Sequence, residues 1–319
     1  MRIVGTGSYL PETKLSNDDL SQLVDTNDEW IATRTGIRSR HVVTDENTSD
    51  LAVGAARVAM ADAGIAAATI DLLVVATSTP DVFIPGVAHQ VLKGLGISQA
   101  MVFDVNAACT GFVYALDVAV SLMQAHGYRH ALVIGAEVMS KIVDWNDRNT
   151  CVLFGDGAGA VVLEQAEMSG VLYRSCTAIP DRDDVLLSGG VAVNNPVYAV
   201  AQGDFFLDMK GQDVFKFAVR VVGESVHAAL SETGMSVEDV DYYVLHQANR
   251  RILEYVAKKL KVPVEKFYST IADTGNTSAA SIPITLDRMK REGLLVRGMK
   301  VMLVGFGAGL TYGAMLIEW

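Results

Sequence analysis

Residues 70–76 read IDLLVVA and residues 240–246 read VDYYVLH; residues 131–135 read ALVIG and residues 301–305 read VMLVG. One constant shift of 170 residues (70 to 240, 131 to 301) relates both pairs. The same shift superimposes Gly64, Asp71, Asn106, Leu116, Asp117 and Gly135 on Gly234, Asp241, Asn276, Leu286, Asp287 and Gly305 without a gap. Self-similarity at a fixed offset marks a repeated structural unit, so the chain reads as two homologous halves, 1–170 and 171–319. The paired segments are short apolar runs rich in β-branched residues, and longer helical patterns separate them. That alternation predicts an α/β fold with mostly buried strands.

Helix ends are legible around these runs. Thr26 and Glu29 have capping-box spacing before a short helix that Gly36 closes, Thr48 opens a helix that Gly64 terminates, and a helix from about Asp213 to Glu232 stops at Gly234. The segment FGDGAGAVVL at 154–163 lacks the Lys-Ser/Thr ending of a P-loop, and its DGAG is expected to form a hairpin turn.

Composition narrows the function. The 319 residues are half hydrophobic, with 28 glycines, 7 prolines and a net charge of −11. Such a chain buries a large core, and its averaged field repels polyanions, so nucleic acid is not an expected partner. Three cysteines, Cys109, Cys151 and Cys176, form no CxxC pair, and no two histidines have HExxH spacing. Neither a disulfide framework nor a metal site is expected. The opening MRIVGTGSYLPET has no basic stretch leading into an apolar one, and the apolar runs read as too short to span a membrane, so the expected setting is cytosolic.

Homologous halves bring equivalent strand ends together, which makes the positions that differ between them informative. Cys109 falls opposite Ala279, His246 opposite Ala76, and Asn276 opposite Asn106. Cys109 lies where a short strand gives way to a long helical run, and a helix start favours a thiolate, so its pKa is expected to be lowered. Cys151 and Cys176 lie beside strand-like segments and read as packing residues. His246 ends a strand, whereas His41, His89, His126, His130 and His227 read as ordinary surface or core histidines. Asn276 alone would be a loop-shaping residue. Together, Cys109, His246 and Asn276 suit a nucleophile that takes an acyl group beside two neutral donors for an oxyanion or enolate, with backbone N–H groups supplied by GFGAG at 305–309. Arg250, Arg251, Lys258, Lys259 and Lys261 form a basic stretch opposed only by Glu254. It reads as a solvated helix face that can also steer an acidic partner.

Ordered motifs run the length of the chain: DEWIATRTGIRSRH at 28–41, NAACTGF at 106–112, DRNTCVLFGDGAGA at 147–160, MKGQDVFKFAV at 209–219, HQAN at 246–249, GNTSAASIP at 275–283 and GFGAGLTYG at 305–313. With these motifs the sequence resembles the β-ketoacyl-acyl-carrier-protein synthase III family, the initiating condensing enzymes of type II fatty-acid synthesis. The resemblance implies a thiolase-like αβαβα fold, a homodimer and a Cys109–His246–Asn276 triad. It implies acyl-CoA and malonyl-acyl carrier protein as substrates, with no metal or redox cofactor. Trp30 and Arg148 would flank the coenzyme A adenine, Arg34 would lie near its phosphates, and Phe215 and Asn249 would border the same substrate. Lys216, Arg250, Arg251, Lys258 and Lys259 would receive the carrier protein. The oxyanion would be held by the N–H groups of Cys109 and Ala308, the latter replacing the glycine of GFGGG motifs. Ile84 would close the acyl pocket of the neighbouring subunit. Two other readings stay open: a relative that uses the same acyl-cysteine for secondary metabolism or acyl transfer, and a binding protein without turnover.

Overall fold

Three of the four repeated apolar runs become inner strands of two sheets, and the fourth, Tyr242–Leu245, forms an edge of the second. The computed structural model describes residues 1–319. In chain order the main elements are β1 (Arg2–Tyr9), α1 (Asp28–Thr35), α2 (Thr48–Ala63), β2 (Leu72–Ala76), α3 (Val87–Leu95), β3 (Met101–Val105), α4 (Gly111–His126), β4 (His130–Glu137), β5 (Gly157–Glu164), β6 (Val171–Ala178), α5 (Gly211–Thr233), β7 (Tyr242–Leu245), α6 (Arg250–Leu260), α7 (Ser281–Arg291), β8 (Lys300–Gly307) and β9 (Thr311–Glu318). The first sheet has the order β1-β5-β4-β2-β3 and the second β6-β9-β8-β7. The two share a plan: β4 runs parallel to β2 and antiparallel to β5, as β8 runs parallel to β7 and antiparallel to β9. Register agrees too, with Leu72 opposite Ala131 and Tyr242 opposite Val301. Only the first sheet has an outer parallel strand, β3.

Strands buried on both faces need apolar side chains at consecutive positions, and Leu72–Ala76 and Ala131–Ile134 supply them. Val74 and Val133 face inward onto α4 and α7, where they meet Phe112, Leu116, Leu286 and Met289, with Val244 and Leu303 of the second sheet on the other side. Leu73 and Leu132 face outward onto Ala52, Ala55 and Ala59 of α2. Tyr243, Val304 and Leu316 pack outward against Val221 and Val222 of α5 and Val256 of α6. The result is five layers, helix–sheet–helix–sheet–helix, with α4 and α7 sandwiched in the middle. Each fully buried leucine or valine contributes about 1.5–3 kcal/mol.

Three local expectations change. The α1 cap is Asn27, whose side chain accepts the Trp30 N–H at 2.8 Å from an extended backbone; Thr26 lies outside the helix. DGAG forms no hairpin: Gly157 to Gly159 run straight along β5. There a Cβ on Gly159 would come 2.5 Å from the Ile284 nitrogen, so glycine lets α7 lie against the sheet. Finally, the stretch Ala108–His126 is long and apolar enough to cross a membrane, contrary to the sequence reading. Its hydropathy reflects the middle layer, where α4 is flanked by both sheets. The helix stops follow the glycines, with left-handed Gly64 (φ 67°) and Gly234 (φ 68°) closing α2 and α5.

Candidate active site

Two matching turns meet at the centre of the molecule. Residues Ala108–Thr110 form a 3-10 turn ahead of α4, and Ser278–Ala280 form one ahead of α7. Each begins with a left-handed residue, Ala108 at φ 46° and Ser278 at φ 49°. Two residues before, an asparagine side chain accepts that residue's N–H: Asn106 from Ala108 at 3.3 Å, and Asn276 from Ser278 at 2.9 Å. Glycines of the opposite sheet let the turns approach. A Cβ on Gly307 would sit 2.9 Å from the Cys109 nitrogen, one on Gly305 would sit 3.0 Å from the Thr110 Cα, and one on Gly135 would collide with the Ala279 carbonyl.

Cys109, His246 and Asn276 are all buried here. The Asn276 backbone is clamped by the 153–155 segment: its N–H donates to the Leu153 carbonyl at 2.8 Å and its carbonyl accepts from Gly155 at 3.1 Å. With Oδ1 occupied by Ser278, the Asn276 Nδ2 is the group left to donate. His246 follows β7, and its Nδ1 lies 2.8 Å from the Ser281 hydroxyl, which donates to the Ser278 carbonyl at 2.9 Å. Burial pushes the His246 pKa down to about 3, so the ring is neutral near pH 7, although the Ser278 backbone favours its protonated form.

Cys109 departs from its sequence reading. Burial pushes its thiol up to about 12, and the nearby Glu137 charge adds to the rise, against a hydrogen bond with the Ser278 side chain that favours the thiolate. The helix start is present, but removing the sulfur's charge from water outweighs its field. Cys109 therefore rests as a buried thiol and His246 as a neutral imidazole. Sequence reasoning also missed Ser278, Ser281 and Glu137. A trace of Ser278 was available, since it stands opposite Ala108 in the shifted halves, a polar residue facing a methyl.

The other candidates spread toward the surface. Trp30 is flanked by the guanidinium groups of Arg34 and Arg148, at 4.8 and 4.9 Å from its ring. Asn249 caps α6 by accepting the Arg251 N–H at 2.9 Å and donates to the Arg34 carbonyl at 3.1 Å, tying α6 to α1. An open polar cleft of about 450 Å³ between α1 and α6 is bordered by Arg250 and Arg251. Arg250 pairs with Glu254 at 2.9 Å, while Arg251, Lys258 and Lys259 are exposed. Phe215 packs edge-on to Tyr255, with ring centres 5.8 Å apart, and Lys216 pairs with Asp213. Ala308 follows Gly307 at the end of β8, and its carbonyl accepts from the Thr311 hydroxyl. Ile84 lies far from being buried, 89% exposed beside Phe83 at 75%. Cys151 is buried and Cys176 partly so.

Comparison with known proteins covers both turns. Residues 103–178 match the family described as 3-Oxoacyl-[acyl-carrier-protein (ACP)] synthase III, and residues 230–319 match its C-terminal counterpart. The chain is 46% identical over its full length to the Beta-ketoacyl-[acyl-carrier-protein] synthase III of Clostridium acetobutylicum, covering 98% of that protein. The crystal structure of 3-oxoacyl-[acyl-carrier-protein] synthase III from Aquifex aeolicus VF5 superimposes with a TM-score of 0.93 at 41% identity, covering 100% of this chain and 99% of that one. The priming beta-ketosynthase of the R1128 polyketide biosynthetic pathway superimposes equally well, at 0.93 and 37% identity, over 99% of this chain and 95% of that one.

Proposed function

The chain belongs to the 3-oxoacyl-[acyl-carrier-protein] synthase III family, and from that premise we propose how its residues start an acyl chain by decarboxylative condensation. The Cys109 sulfur attacks the thioester of an acyl-CoA, and the N–H groups of Cys109 and Ala308 hold the tetrahedral oxyanion. Coenzyme A departs, leaving an acyl-cysteine. Malonyl-acyl carrier protein then loses CO2, and the thioester enolate is held by the Asn276 Nδ2 and by an N–H of His246. When the Ser281 hydroxyl turns to donate to Nδ1, the neutral ring carries its hydrogen on Nε2, where it serves as that donor. The enolate carbon attacks the acyl-cysteine, and collapse expels Cys109 and releases β-ketoacyl-acyl carrier protein. The observation that supports this reading is Ser278: its N–H donates to Asn276 Oδ1 and its carbonyl accepts from the Ser281 hydroxyl, which lies 2.8 Å from His246 Nδ1, in a turn that packs against the turn carrying Cys109.

The surface supports the substrates. Arg148 stacks on Trp30 and would part from it to take the adenine of coenzyme A between them, and Arg34 supplies positive charge for its phosphates. Phe215 and Asn249 border the same entrance. Arg250, Arg251, Lys258 and Lys259 on α6, with Lys216, attract an acidic carrier protein. Exposed Phe83 and Ile84, together with the unpaired edge of β3, suit a second copy of the chain whose loop would complete the acyl pocket. Three free cysteines fit a reducing, cytosolic setting.

Incubation with acetyl-CoA should add one acetyl group to Cys109 by mass spectrometry, and Cys109→Ala should show none. Malonyl-acyl carrier protein should then release CO2 and ketoacyl product in equal amounts. Acylation without CO2 release would instead indicate an acyltransferase, and no adduct at all a binding protein.

A further inference from the structure

Arg40 sits in the short strand Ser39–His41 and is fully buried. Its Nη2 donates to the Val152 carbonyl at 2.8 Å, and its Nη1 donates to Asn17 Oδ1 at 3.0 Å and to the Leu15 carbonyl at 3.3 Å. All three partners are neutral oxygens, and the buried Nε has none. Burial pulls the guanidinium pKa down to about 10, so the group is still a cation at neutral pH. A charge taken out of water without a counter-charge is unfavourable, and an apolar residue of similar volume commonly serves such a place as well or better. The fork has to be explained by what it holds.

It holds the segment that clamps Asn276. Val152 immediately precedes Leu153, whose carbonyl accepts the Asn276 N–H at 2.8 Å, and Gly155 donates to the Asn276 carbonyl at 3.1 Å. The arginine stem lies against both sides of that clamp: a Cβ on Gly155 would come 3.0 Å from the Arg40 Cβ, and one on Gly275 would come 3.1 Å from it. The strand carrying Arg40 is tied to both segments as well. The Arg38 N–H donates to the Ala272 carbonyl at 2.7 Å, and the Asp156 N–H donates to the His41 carbonyl at 2.8 Å. Resting on the condensation reading above, we propose that Arg40 is a positioning residue whose guanidinium fixes the 152–155 segment and thereby sets where Asn276 Nδ2 donates.

A carboxamide is aimed by the place of its backbone and by the bond at its oxygen. The Ser278 N–H supplies the bond, at 2.9 Å; Arg40 secures the place. A single planar fork suits this task, because it reaches carbonyls of two separate segments at once from a rigid group. None of its hydrogen bonds goes to the turn that carries Cys109. Loss of the fork should therefore fall on enolate formation and spare acylation.

The test uses the full chain and times the two steps separately. With protein acetylated beforehand, Arg40→Met should slow CO2 release from malonyl-acyl carrier protein about 10–10²-fold, the loss expected when a donor is displaced by roughly 1 Å. Acylation of Cys109 at saturating acetyl-CoA should stay within about threefold of wild type. Adding Arg40→Met to Asn276→Ala should cost no more than about a further threefold in CO2 release, since residues that act as one unit are not additive. Hydrogen–deuterium exchange should quicken across residues 275–280 while β8 keeps its protection, a pattern that general loosening would not give. Arg40→Lys retains a cation and the stem but not the fork; it carries the test if Arg40→Met does not fold, and should show the same split between the steps with a smaller loss. Equal slowing of both steps, fully multiplied losses in the double variant, or unchanged exchange at 275–280 overturns the proposal. Wild-type protein that forms the acetyl-cysteine yet releases no CO2 defeats the condensation reading instead, and the exchange pattern then decides whether Arg40 holds the clamp.

Discussion

The turn at 106–111 and the turn at 276–281 share a backbone and divide the chemistry. Both place a left-handed residue after an asparagine, both lead into a core helix, and both lie under glycines of the opposite sheet. Their side chains diverge. The first offers Cys109 next to a methyl at Ala108, with Asn106 exposed; the second has Ala279 in place of the sulfur, a hydroxyl at Ser278, and Asn276 buried. One turn thus presents a thiol and the other a set of hydrogen-bonding groups. A single local geometry serves both, because the conformation is fixed by the asparagine bond and the close glycine, leaving the side chains free to differ.

This contrast can be broken at several points. The largest effect is expected at the asparagines. Asn276→Ala should slow CO2 release from malonyl-acyl carrier protein on the order of 10²–10³-fold, the usual loss for one preorganised donor. Asn106→Ala, altering the same turn on the nucleophile's side, should leave that step within tenfold of wild type (about 1.4 kcal/mol). Comparable losses in the two variants would mean that Asn276 acts only through turn geometry.

Next come the glycines. Gly135→Ala drives a methyl into the Ala279 carbonyl, whereas Gly305→Ala meets the Thr110 Cα at 3.0 Å, a milder clash. Urea unfolding should show Gly135→Ala losing about 2–3 kcal/mol and Gly305→Ala about 1 kcal/mol. The reverse order would show that the two turns are not held in equivalent ways.

The most gradual effect concerns protons. His246 has its folded pKa depressed to about 3 against an ordinary 6.5, so below pH 6.5 the unfolded chain binds a proton that the folded protein refuses. Stability attributable to this residue is complete above pH 6.5 and declines toward pH 3, by at most about 1.4 kcal/mol per pH unit. His246→Gln should flatten that slope between pH 6 and pH 4 in urea-unfolding series; an unchanged slope would mean that the imidazole is protonated in the folded state.

Much of the architecture was legible from period and punctuation. Leu72–Ala76 and Tyr242–Leu245 announce buried strands by consecutive apolar residues, and Gly64 and Gly234 announce helix stops because left-handed backbone favours glycine. Local competition misled at two places. Thr26 and Asn27 are both good caps, and only the extended backbone at Asn27 decides between them. DGAG looks like a turn until α7 is seen lying against Gly159.

At the site, the residue types and their placement at strand and helix ends were readable, because spacing alone puts Cys109 before α4 and His246 after β7. Their protonation was not. A charge's cost depends on every neighbour that excludes water, and those neighbours come from both sheets; burial therefore reversed the ionisation expected for Cys109. Likewise, Ser278 and Glu137 are separated by 141 residues and touch only because the two sheets close on a shared middle layer. Covalent order determined which segments are strands, helices and turns, since short-range sterics and periodicity set those. Packing alone decided which polar groups share a dry interior, and that in turn decides where a proton can go.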